Sequence, residues 1–294
     1  MLDFSHIPSQ QQQTYTFYAT GNWQTWQKPR GAKFLVVFLI GSGASGGNGF
    51  VGTGNAGGGG GGASSAYTRG IFPAFLLPDT LYIQVGQNSI SNVNGVSSIA
   101  LVPSTNAQTL LIQSSANAGG YAAPGVAGTV SAGGAGGQQG LATSTTLSAF
   151  GNLGIFNSIA GINGSAGGTI TPAAGNNQAA LGTGLVTAGA GGGGKTSISS
   201  ATGGNITSAT AILTNQVNGG STDGANGDSG YGLFQPFCGT GGAGGAGKLG
   251  TTGAGGRGGN GWYGSGGGGG GAGSASGGVG GRGGDGLVII TVIC

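Results

Sequence analysis

The sequence predicts an all-β protein: a jelly-roll-like β-sandwich carrying a bundle of glycine-rich, polyproline-type extended helices (polyglycine II), with almost no α-helix. Three observations lead there. Seven or eight short runs are rich in β-branched, leucine and aromatic residues, nearly all of them before Ala116. Glycine supplies 77 of 294 residues and recurs at every third position over long stretches. No segment holds a 3.6-residue apolar period, and each Gly costs a helix about 1 kcal/mol.

Taken in order, residues 1–13 form a polar N-terminal arm ending in Gln10 to Gln13. Strands follow at Thr14 to Tyr18 and Trp23 to Gln27. Phe34 to Ile40 is apolar on both faces, which marks a central strand. A glycine-rich insertion occupies 41–62. Phe72 to Leu77 is short and broken by Pro73 and Pro78. Leu81 to Val85 alternates, pointing Leu81, Ile83 and Val85 inward. Val96 to Val102 and Thr109 to Gln113 continue the pattern around a turn at Pro103 to Asn106. Leu287 to Ile293 is again apolar on both faces. It is expected to pair with Phe34 to Ile40 and to bring both chain ends into one sheet. The sandwich is thus expected at 14–115 plus 286–294, and the bundle at 116–285.

Within the bundle, Gly241, Gly244, Gly247, Gly250, Gly253, Gly256 and Gly259 fall at every third residue. Gly264 to Gly273 and Gly277 to Gly286 keep the same spacing. Three residues per turn at about 3.1 Å per residue is the geometry of polyproline-type helices, which have no internal hydrogen bonds. Buried N–H and C=O groups must be paired. Collagen pairs them between Pro-rich chains, but no Pro follows Pro236. The remaining solution is side-by-side packing of some six to ten such helices in one chain, with Gly at the contacts and a sandwich to nucleate them.

Composition excludes several classes. Charged residues are 4% and mean hydropathy is +0.13, unlike a disordered chain. The net charge is +3, and only Lys28, Arg30 and Lys33 cluster, too few for a nucleic-acid stripe. Cys238 and Cys294 make no disulfide framework. The longest apolar run has seven residues against roughly 18 for a membrane span. No secretory leader is recognisable, so synthesis in a cytoplasm without membrane insertion is expected.

Three catalytic-looking strings arise from glycine content. Gly189 to Thr196 matches a phosphate-binding loop, with Lys195 and Thr196 in the key positions, but no helix-forming segment follows. Gly41 to Gly46 matches a dinucleotide fingerprint without a helix or an acid for the ribose. Gly227-Asp228-Ser229-Gly230 resembles a protease nucleophile segment, yet the sole His is His6. A calcium site from Asp223, Asn226 and Asp228 lacks a bidentate acid. With no Glu and one His, the expectation is a non-enzyme without cofactor or metal.

Trp26-Gln27-Lys28-Pro29-Arg30-Gly31-Ala32-Lys33, the apolar strand after it and Gly41-Ser42-Gly43 resemble the opening of glycine-rich virion proteins of tailed phages. Leu81-Tyr82-Ile83-Gln84-Val85-Gly86 and the ending Gly283-Gly284-Asp285-Gly286-Leu287-Val288-Ile289-Ile290 extend the resemblance. It covers about Trp23 to Gly86 and the last quarter of the chain. Such proteins include fibre-tip adhesins, minor tail proteins and head fibres. The resemblance implies a location on the virion surface, other virion proteins as partners, and a host receptor, glycan or outer-membrane protein, met by loops on the bundle. A homo-oligomer such as a trimer stays open. A purely structural virion component is the alternative. Aromatic rings do not fit inside a packed glycine lattice, so Tyr231, Phe234, Phe237, Trp262 and Tyr263 are candidate receptor contacts, or else they cap the bundle or pack on the sandwich. Phe4, His6, Trp23 and Trp26 are the candidate virion-docking residues.

Overall fold

The computed structural model describes residues 12–88, 95–104, 109–114, 122, 125–139, 155–180, 186–208, 216–221, 223–234 and 238–294. It is nearly all β, with no α-helix among the described residues.

Two antiparallel sheets share the main core. The first contains β1 (Gln13–Tyr18), β13 (Leu287–Ile293), β3 (Phe34–Ile40), β4 (Tyr67–Pro73) and β8 (Ile155–Ile159), in that spatial order. The second contains β2 (Gln24–Gln27), β5 (Thr80–Gln84), β6 (Ser97–Ala100) and β7 (Leu110–Ser114). Four short strands complete the set: β9 (Gln178–Ala180) with β10 (Ile206–Ser208), and β11 (Gly232–Phe234) with β12 (Cys238–Gly239). As the apolar pattern demands, β3 is central, flanked by β13 and β4, and Leu287 faces Ile40 while Ile293 faces Phe34. Leu35, Val37 and Leu39 from β3 meet Leu81, Ile83, Ile99 and Ile112 from the second sheet. Each such side chain contributes about 1.5–3 kcal/mol by leaving water.

The strand expected at Phe72 to Leu77 is different. β4 starts earlier, at Tyr67, and ends at Pro73, after which Ala74–Leu76 turns as a 3-10 helix. Lys28 explains the bend: its Nζ donates to the carbonyls of Ala74 at 3.0 Å and Leu77 at 2.6 Å and pairs with Asp79 at 3.2 Å. The segment gains a polar partner that a strand would not have.

The glycine-rich chain leaves the first sheet at Ile40 and forms laterally hydrogen-bonded extended runs. Residues 41–62, expected as an insertion in the sandwich, belong to this array. The run at 56–66 shows the rule. N–H groups of Gly57, Gly58 and Gly59 donate to Thr129, Gly168 and Gly270, and those of Gly60, Gly61 and Gly62 repeat the cycle on Val126, Ser165 and Gly267 in the same three neighbours. Its carbonyls accept in the same rotation from Phe50, Gly134 and Gly192, then Gly47, Gly137 and Gly189. Every third residue therefore meets the same neighbour. A Cβ on Gly59, Gly60 or Gly61 would lie 2.0 Å from a neighbouring carbonyl oxygen, so the interior is backbone against backbone.

Among the described residues the runs exceed the expected six to ten, because turns interrupt the glycine spacing. The unbroken spacing from Gly241 to Gly259 folds as two runs joined by a turn, where Gly250 and Gly253 take φ of 90° and 130°. At the array's margin a neighbouring carbonyl is replaced by a side chain. Asn48, Asn163, Asn177, Asn205, Asn226 and Asn260 accept, through Oδ1, the N–H groups of Gly280, Gln139, Asn205, Gly219, Arg257 and Arg282.

Candidate functional site

The array has a near end against the sandwich and a far end formed by turns. Of the aromatic candidates, Trp262 and Tyr263 do not lie at the far end. They lie in a turn at the near end, where Gly264 donates to the Asp285 carbonyl. The indole of Trp262 rests on Gly232 and Gly239; a Cβ there would come within 2.8 Å of Nε1 and 2.5 Å of Cδ1. Glycine at these two positions of the β11–β12 hairpin is therefore the seat of the ring. Tyr263 meets Trp262 edge-on, with centroids 5.3 Å apart, and lies 6.2 Å from Tyr18. Burial, then Tyr18 and Asp285, hold the Tyr263 hydroxyl above its ordinary pKa.

Tyr231 is half-buried and packs on Ala190, Ile206, Val217 and Ala243, so one ring does find an apolar niche within the array. Burial raises its hydroxyl pKa. Phe234 belongs to β11, and Phe237, Phe4 and His6 fall outside the described residues. Trp23 is half-buried. Trp26 is 4% exposed in the sandwich core, edge-on to Tyr15 at 5.7 Å. That burial corrects its expected docking role, because no ring surface is left for a partner.

Beside Trp262 and Tyr263 opens a cleft of about 430 Å³. Its polar walls come from Gln87 and Asn88 after β5, from Asn260, and from Arg282 and Asp285 before β13. Asp285 accepts the Asn88 N–H through Oδ1 at 2.8 Å, joining positions 197 residues apart.

The far end gathers turns near residues 53–55, 130–132, 170–172, 196–200, 223–224, 249–253 and 274–276. Its exposed side chains are mostly Thr and Ser, with Ile198 at 86% exposure the most prominent apolar one. The organiser is Lys195, fully buried. Its Nζ donates to the Gly52 carbonyl at 3.0 Å, the Gly250 carbonyl at 3.1 Å and the Ser274 hydroxyl. An ammonium has three donors, and all are used here. Burial lowers the Lys195 pKa, and Asp223 partly offsets that. Asp223 itself bonds to Lys248 Nζ at 2.5 Å and to the Leu249 N–H. Burial works to raise its pKa, but these partners outweigh it and hold the carboxyl below its ordinary value.

The polar groups of two look-alike motifs are engaged by the chain itself. Lys195 of the phosphate-loop string is engaged inside the far end, and a turn, with the Thr196 N–H donating to the Ser199 carbonyl, follows it where a phosphate loop would open a helix. Asp223 is committed to Lys248, and Asn226 to the Arg257 N–H, so neither is arranged around an ion. Among the described residues no three His, Cys, Asp or Glu side chains converge as metal ligands. No protein-family model matches the chain, and no curated protein sequence matches it.

Sequence reasoning missed both assemblies. Lys195 had one usable signal, a lone cation in an apolar glycine run with no acid beside it. The cleft had none, because its walls come from three distant segments.

Proposed function

We propose that this chain is a non-enzymatic surface protein of a phage virion that binds a host-cell receptor through the far-end turns. In this reading the array is a polyglycine-II helix bundle and the two sheets are jelly-roll-like. The recurrence of one neighbour at every third residue supports the first assignment. The observation that carries the function is the far end itself: turns fixed by Lys195 and projected roughly 30 Å from the sandwich by runs of about ten residues. A stiff stalk with a preorganised polar tip loses little entropy on binding.

Purified protein should bind saturably to cells that the parent particle infects. Ile198→Glu with Thr252→Arg should lose that binding while circular dichroism stays unchanged. Absence of binding by the unaltered protein would remove the adhesin reading.

A second reading, a purely structural virion component, draws on the outer face of the first sheet. Phe34, Ile71 and Ile155 are 45%, 42% and 76% exposed there, an apolar patch suited to assembly.

A further inference from the structure

We propose that the cleft between the sandwich and the near end of the array binds a neutral saccharide. This site is separate from the far-end turns and does not depend on them.

The first argument is composition. Trp262 and Tyr263 give the cleft an aromatic side, suited to the C–H face of a sugar ring. Around it stand a carboxylate, a guanidinium and carboxamides, from Asp285, Arg282, Gln87, Asn88 and Asn260. A sugar hydroxyl both donates and accepts. Asp285 accepts, Arg282 donates, and the amides do both. The one cation and one anion balance, which disfavours a phosphate or a strongly acidic ligand. The volume, about 430 Å³, lies in the range of roughly 300–1,000 Å³ typical of small-ligand sites.

The second argument is how the polar groups are held. Asn260 spends Oδ1 on the Arg282 N–H at 3.0 Å, which leaves its NH₂ for another partner. Asp285 spends Oδ1 on Asn88 and retains Oδ2. Among the described residues the Arg282 guanidinium makes no ion pair. The backbone beneath is fixed by Gly261 donating to Arg282 O and Gly284 donating to Ser265 O, each at 2.8 Å. Asn88, Asn260, Arg282 and Asp285 are thus anchored by one side-chain atom or by their backbone, which leaves another group for the cleft. That arrangement lowers the ordering cost of a weak polar ligand.

The test is titration of the whole protein with glucose, galactose, mannose, N-acetylglucosamine, maltose and lactose. Tryptophan fluorescence and calorimetry are the readouts. At least one sugar should bind saturably, and Arg282→Ala and Trp262→Phe should each weaken it about tenfold, the scale of one lost polar or stacking contact. Ile198→Glu at the far end should leave it unchanged. Competition by a purified bacterial polysaccharide would identify a polymer as the source; its absence would identify the free sugar. Silence from all six sugars at concentrations on the order of 50 mM, or undiminished binding by both cleft variants, would overturn the proposal. Neither result bears on cell binding by the far-end turns.

Discussion

The sandwich and the array are held together by opposite halves of the polypeptide. In the sandwich, side chains meet: Leu35, Val37, Leu39, Leu81, Ile83 and Ile99 fill the space between two sheets. In the array, backbone meets backbone at the glycine contacts, and at Gly59, Gly60 or Gly61 a methyl has nowhere to go. The sandwich therefore loses stability when atoms are removed, the array when atoms are added.

The sharpest way to break this contrast is Gly61→Ala. Its Cβ would lie 2.0 Å from the Gly189 oxygen, and both backbones are fixed by neighbours. A loss of about 4 kcal/mol is expected, at the upper end for overpacking. Gly54→Ala, in open space at the far end, should be neutral or slightly stabilising. Equal effects in thermal denaturation would refute the backbone-packing account.

Next comes Leu39→Ala in the sandwich, with an expected loss of about 3 kcal/mol from transfer and cavity terms. Urea denaturation measures it. If the sandwich nucleates the array, both should unfold in one transition in this variant. Two separated transitions would show that the array stands alone.

Lys195→Met is an exception that sharpens the comparison, since here a side chain matters inside the array. Three acceptors lose their donor, and a cost of about 2 kcal/mol is expected. Hydrogen exchange should rise at the turns near 52, 250 and 274 and not at Gly60. Uniform acceleration would mean that Lys195 supports the whole array and not its far end.

The smallest effect is acidic. The folded Asp223 carboxyl lies below its ordinary value near 3.8, so its contribution is present above that pH and is lost as pH falls through the folded value. Melting temperature should decline less steeply with acid in Asp223→Asn than in the parent. Parallel declines would show that the Lys248 pairing contributes nothing measurable.

Most sandwich strands were legible because alternation such as Leu81, Ile83, Val85 records which face is buried, and β3 and β13 showed themselves by being apolar on both faces; β8 was not, and it joins the first sheet from the region 116–285 expected to be bundle alone. The array was legible in its period and illegible in its connections. A glycine states that something approaches closely but not what, so the turn at Gly250 looked like continued helix. Trp262 and Tyr263 were visible as unusual residues. Their surroundings were not, because Asn88 and Asp285 meet only once β13 has returned beside β3.

The asparagines along the margin carry one more consequence. A lattice of identical rods, each bonding to all sides, has no intrinsic reason to stop growing, and a second molecule's glycine run would fit its face as well as its own does. Asn48, Asn163, Asn226 and Asn260 are exposed and occupy donors that such a run would need. They work as crystal terminators, finishing the surface with a group that completes the bonding and offers nothing to extend. A molecule stripped of them would keep its interior and lose its outline.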